Sequence, residues 1–187
     1  MNIVEITNIL KLLGWSISRD EVGDRLASYG LPDRTADIIY GMKRLTNDQQ
    51  LWVMRSTSTD AFSNACAVVD SSRRETTPLL TSWKGLRIQA PEILDEHVRQ
   101  GSEEAIAWAQ EQDLDRALQE HAAMPTNVPG AKPIWHLAAL ALLGNVEKLK
   151  SYQSSFEAGD RLGFVPYITK DYIDRAVSLG EEYASGV

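Results

Sequence analysis

Near residue 90 the spacing of apolar side chains changes, and that change limits the chain to a fold of two characters. Before it, helical spacing and strand-like alternation both occur; after it, only helical spacing does. Ile6, Ile9, Leu10 and Leu13 fall at i, i+3, i+4 and i+7, which predicts a helix over 3–13 stopped by Gly14. Ser18 and Glu21 have capping-box spacing and predict a second short helix, with Val22, Leu26 and Tyr29 inward and Gly30-Leu31-Pro32 as its end. Gly23 lies inside that span and leaves a strand through Trp15 and Ile17 open as the alternative. Ala36, Ile38, Tyr40 and Met42 alternate with Asp37, Gly41 and Lys43, Thr46-Asn47-Asp48 has turn chemistry, and 51–54 is again strand-like, so 35–56 reads as a hairpin. Phe62, Ala65, Cys66 and Val69 predict a helix over 60–70, the stretch 71–78 a loop, and 79–81 and 86–90 two short strands.

From Pro91, taken as a first helical position, the pattern is helical throughout. Gly101 is expected to end the first helix and Ser102 to cap the next, which is either one bent helix or two divided near Asp113. A loop with three prolines spans 124–133, followed by a strongly apolar helix at 134–143, a break at Gly144-Asn145, a further helix, an aromatic loop at 159–167 and a last helix over about 169–183. The fold class expected is α+β: a small antiparallel sheet from 35–56 and 79–90 packed on the helices at 3–13 and 60–70, followed by an all-helical part. The organisation expected is one compact domain, 1–187, with an α/β half at 1–90 and a helical half at 91–187.

A chain of 187 residues buries about 70% of its unfolded surface, so neither disulfides nor metal are required for folding. The one cysteine, Cys66, sits in an apolar run and reads as a small buried hydrophobe. No stretch approaches the roughly 20 apolar residues of a membrane span, and Met1-Asn2-Ile3-Val4-Glu5 lacks the basic start of a secretory signal, so a cytoplasmic protein is expected. Net charge is −7 and is unevenly spread: residues 1–90 carry 11 basic and 10 acidic side chains, residues 91–187 carry 8 and 16. The segment 92–120 alone has nine acids against Arg99 and Arg116. Such a surface disfavours phosphate backbones and favours a basic protein partner, which complementary fields steer into place.

Chemistry-bearing patterns are sparse. His97, His121 and His136 show no metal-ligand spacing, and no nucleophile-elbow, phosphate-loop, dinucleotide or zinc-protease motif occurs. No cofactor, no metal and no catalytic residue is expected, and the chain reads as a binding protein rather than an enzyme, with an enzyme of unknown class, its groups assembled from distant positions, as the third reading. Glu103, Glu104, Asp113 and Asp115 are the acids expected at an interface, because two helix starts would expose them. Trp108 and Phe164 are the candidate anchors, Phe164 with the alternative that it pins its loop to the core.

The C-terminal third, Leu142-Leu143-Gly144-Asn145-Val146-Glu147-Lys148-Leu149 and then Ala158-Gly159-Asp160-Arg161-Leu162-Gly163-Phe164-Val165-Pro166-Tyr167-Ile168, resembles small bacterial proteins of the polymorphic-toxin and type VI secretion immunity kind. That resemblance implies a cytoplasmic inhibitor that plugs a cognate effector; from charge and hydropathy the partner expected is a basic toxin or effector domain, with no direct contact to nucleic acid or membrane. The element order of 1–90 is also similar to that of bacterial secretion chaperones, which implies a homodimer binding an extended segment. The two leave the oligomeric state open.

Overall fold

Local chemistry starts the first element. In the computed structural model, which describes residues 1–19, 23–72 and 76–186, the Asn2 side chain accepts from the backbone N–H groups of Val4 and Glu5, and the Glu5 carboxylate accepts from Asn2 N–H. This reciprocal cap opens α1 (Ile3–Leu12), which buries Ile6, Ile9 and Leu10. Gly14, at φ +92°, turns the chain where a Cβ would be strained.

The chain then forms strands where a helix had been expected from Ser18. β1 (Ser16–Arg19) and β2 (Arg25–Gly30) pair antiparallel, Ser16 opposite Ser28 and Arg19 opposite Arg25. The helical reading fails because Gly23 sits at φ +89°, a turn conformation, and because alternation sends Ile17, Ala27 and Tyr29 to one face. Glu21 and Val22, on which the helical reading leaned, lie outside the described residues.

β3 (Thr35–Arg44) and β4 (Gln49–Ser58) form the expected hairpin, closed by Leu45 N–H donating to the Asp48 carbonyl. β5 (Leu80–Ala90) is one strand rather than two, with a bulge opposite Val53–Arg55, and the sheet order is β1-β2-β3-β4-β5, antiparallel throughout. One face carries Ala27, Ile38, Tyr40, Leu51 and Val53 into a core shared with α1 and with α3 (Asp95–Glu111). α3 starts after Pro91, not at it, and runs through Gly101 without a break. Gly101 faces the sheet from inside the helix, with side chains of Leu86, Leu51 and Ile88 at ordinary contact distance from where a Cβ would stand, so it is no stop. Ser102 is therefore no cap; it is buried and accepts from the Trp15 indole N–H at 2.8 Å.

The helical part consists of α2 (Asp60–Asp70), α4 (Leu114–Ala122), α5 (Lys132–Leu142), α6 (Val146–Glu157) and α7 (Lys170–Ser185). α5 is central, with Leu137, Ala138, Ala139, Leu140 and Ala141 fully buried against α2, α4, α6 and α7. α2 was expected on the sheet; instead Phe62, Ala65, Cys66 and Val69 are buried in this helical assembly, with α5 and α7 as neighbours. Two compact units result: 1–59 with 78–112, and 60–77 with 113–187. The fold is α+β, with the helices at 60–70 and 95–111 exchanged between units relative to a division at residue 90.

Candidate functional site

α3 gathers the largest block of charge in the sheet unit. Asp95 and Glu96 occupy its first turn, where the helix dipole favours them. Glu103 is exposed and Glu104 half-buried about two turns on, Glu104 accepting from the Gln100 amide at 2.9 Å, and Glu111 is exposed in the last turn. Among the described residues none of these carboxylates has an ion pair. The cation that satisfies the C-terminus of α3 comes from elsewhere: Arg34 Nη1 donates to the carbonyls of Ala109 and Gln112 at 2.9 and 2.8 Å. Trp108 is half-buried against the sheet core, with the Arg55 guanidinium 5.4 Å from its ring centroid. It is therefore held from within the unit and shows solvent only part of its surface.

The other three expected residues belong to the helical unit. Asp113 is exposed and caps α4, its carboxylate accepting from Arg116 N–H at 2.9 Å. Asp115 is exposed in the first turn of the same helix. Phe164 is buried, edge-on to Tyr152 and Phe156. It pins its loop to the core, as the alternative reading had it, and offers no surface to a partner. The segment 92–120 thus contributes to two units.

Sequence reasoning left His136 without partners. In the helical unit its ring is fully buried, with Nδ1 3.0 Å from the His121 carbonyl and Nε2 3.1 Å from the Tyr152 hydroxyl. One neutral tautomer fits: Nδ1–H donates to the carbonyl and Nε2 accepts from the phenol. Burial pushes the imidazole below its ordinary value, partly offset by the bond to His121, with Lys148 and the His121 ring adding to the lowering. The buried ring thus ties α5 to the His121 carbonyl of α4 and to the Tyr152 hydroxyl of α6. His97 caps instead: its Nδ1 accepts from Leu94 N–H at 2.9 Å at the start of α3.

Surface clefts are shallow and mixed in lining. One, about 460 Å³, lies by Met1, Glu5, Ile9 and 92–95 in the sheet unit; another, about 330 Å³, lies beside Val68, Arg175 and Leu179 in the helical unit. Among the described residues no group of three histidine, cysteine or acidic side chains is placed to hold a metal, and no helix is long and apolar enough to cross a membrane.

The class so defined is an α+β protein of one antiparallel-sheet unit and one helical unit, its charge displayed on helix faces. The chain belongs to the Family of unknown function (DUF6990), whose model matches residues 2–181. No curated protein and no solved structure matches it.

Proposed function

We propose that this chain is a non-enzymatic, cytoplasmic binding protein of the immunity kind, which inhibits a bacterial toxin or effector by covering a basic surface of the folded domain. The observation that carries this reading is the row of carboxylates on α3, Glu96, Glu103, Glu104 and Glu111, without an ion pair among the described residues. Glu111 weighs most, because a carboxylate in a last helical turn opposes the helix dipole and gains nothing for α3 itself. A basic partner would turn that local penalty into attraction. Rim charges of this type act on association rate and are screened over about 8 Å at physiological ionic strength.

The test is to express the product of each neighbouring gene and, for one that carries a toxin-like domain, to measure its association with this chain across a salt series. Glu103→Lys with Glu104→Lys is expected to slow association about tenfold or more and to flatten the salt dependence, and Asp113→Lys with Asp115→Lys to do so less, since those acids sit on a different unit. An unchanged association rate would leave the acidic helix as a solubility feature. Binding to an isolated unfolded segment, with none to the folded domain, would replace this reading by that of an effector chaperone.

A further inference from the structure

β5 is the edge of the sheet, and it is long. Eight of its eleven residues pair with β4 on one side, Trp83, Lys84 and Gly85 forming the bulge, and among the described residues no backbone group of Leu80–Ala90 has a backbone partner on the other. Such an edge is a template for another strand. The bulge is confined to its middle, where Gly85, at φ +30°, lies so close to the Val53 carbonyl that a Cβ would stand 3.1 Å from it. Beyond it the strand runs in regular register, Leu86 opposite Val53 through Ala90 opposite Gln49.

The side chains on this edge have one sign. Leu86 and Ile88 point into the core, while Trp83, at 90% exposure, Lys84 and Arg87 face solvent, and the strand carries no acid. Arg87 stands on the face opposite α1 and α3, in one row with Trp52 and Gly41. Three atoms of the Trp52 indole lie 2.4–2.7 Å from where a Gly41 Cβ would be, so the ring lies across the glycine and keeps the row low and flat. Met54, at 40% exposure, adds apolar surface on the same face. The α3 carboxylates lie on the other side of the sheet and do not neutralise this edge.

These charges decide which strand can pair. A second copy of β5 would bring Lys84 and Arg87 against cations, and like charges facing each other across strands are destabilising. A strand pairing along Leu86–Ala90 with a carboxylate opposite Arg87 meets a cation instead, and a further carboxylate can reach Lys84 in the bulge. We propose that the free edge of β5 takes an extended, acidic segment of a partner protein by strand addition, its carboxylates against Lys84 and Arg87 and an apolar side chain against Trp83. The proposal is independent of the acidic α3 face and concerns a different class of partner.

The experiment titrates the full, ¹⁵N-labelled chain with a synthetic decapeptide alternating Glu with Val and Thr. Three comparison probes accompany it: the same peptide with Lys for Glu, the Glu peptide N-methylated at alternate residues, and a twelve-residue oligothymidylate. The expected result is amide shifts concentrated in 80–90 and a shift of the Trp83 indole with the acidic peptide alone. Lys84→Glu with Arg87→Glu, and separately Trp83→Ala, should weaken binding about tenfold, while Glu103→Lys with Glu104→Lys leaves it unchanged. All these side chains are at the surface, so an unchanged melting temperature verifies the fold of each variant. No shifts at millimolar peptide, equal binding of the lysine or N-methylated peptide, binding of the oligonucleotide in place of the peptide, or concentration-dependent pairing of β5 with itself would each overturn it.

Discussion

Two buried ionisable residues pull stability in opposite directions as pH changes. His136 is neutral in the fold because burial lowers its pKa, whereas the unfolded chain protonates it near the ordinary value of about 6.5. Protons then favour the unfolded state, so the contribution of His136 is present above about pH 6.5 and is lost as pH falls below it. Denaturant unfolding between pH 7.5 and 5 should show decreasing stability, and a flat profile would place His136 in a solvated site. Tyr152→Phe removes the donor to Nε2 and should destabilise by about 1–3 kcal/mol, read from the same unfolding curves. Asp37 has the reverse sign. It is 3% exposed on β3, burial raises its pKa, and the Ser28 hydroxyl donates to it and partly offsets the rise. The folded state therefore favours the proton, and the contribution of Asp37 is present below the ordinary carboxyl value and lost as pH rises through the folded one. Asp37→Asn keeps an acceptor for Ser28 and should raise stability at pH 7 but not at pH 3; an equal effect at both would rule out titration as the cause. His136, beside Trp135 in an apolar helix, reads from sequence as a hydrogen-bonded core histidine and is one, whereas the site of Asp37 was not legible. Asp37 reads as the outward residue of an alternating strand, yet it is buried in the fold.

Glycine shows how the same residue serves different elements. At Gly101, inside α3, an added Cβ would meet Leu86, Leu51 and Ile88 at 3.7–3.9 Å, an ordinary contact. Gly101→Ala should stabilise the chain by about 0.5–1 kcal/mol through helix propensity, measured as a rise in melting temperature. At Gly41, inside β3, the Cβ would overlap the Trp52 ring, so Gly41→Ala should destabilise and alter Trp52 fluorescence. Asp113→Ala removes the α4 cap and should cost about 1 kcal/mol. The elements that sequence foretold, α1 and the 35–56 hairpin, are those with local determinants: a cap, an alternating run, a turn. The span 18–29 misled because a capping-box spacing competed with an alternation too short to stand out. Gly101 misled because a helix stop and a sheet-facing glycine look the same until the facing sheet is known.

For the whole molecule, the order of residues and the order of packing differ. The chain leaves the sheet unit after Thr59, returns at Pro78 and leaves again after Gln112, so α2 is inserted between two strands of one sheet yet belongs to the helical unit. A fragment ending at residue 90 would lack α3, which buries Val98, Ala105 and Ala109 on the sheet, and would carry α2 without α5 and α7. That fragment should show poor amide dispersion and bind hydrophobic dyes. A well-dispersed spectrum from it would mean that the sheet needs only α1.

Sequence by itself determined what short-range rules can determine: the α+β class, the hairpin, most helix positions and the location of the acidic segment. Those follow from periodicity, capping and charge, which act within a few residues. Tertiary structure decided the partners. It placed Phe164 in an aromatic core and split Glu103 and Glu104 from Asp113 and Asp115 by unit. It sealed His136 between a carbonyl and a phenol, and left β5 as a basic edge. Those outcomes depend on which apolar faces meet across long sequence separations, and residues 60–70 could have covered either unit until the competing faces of α3 and α5 were in place.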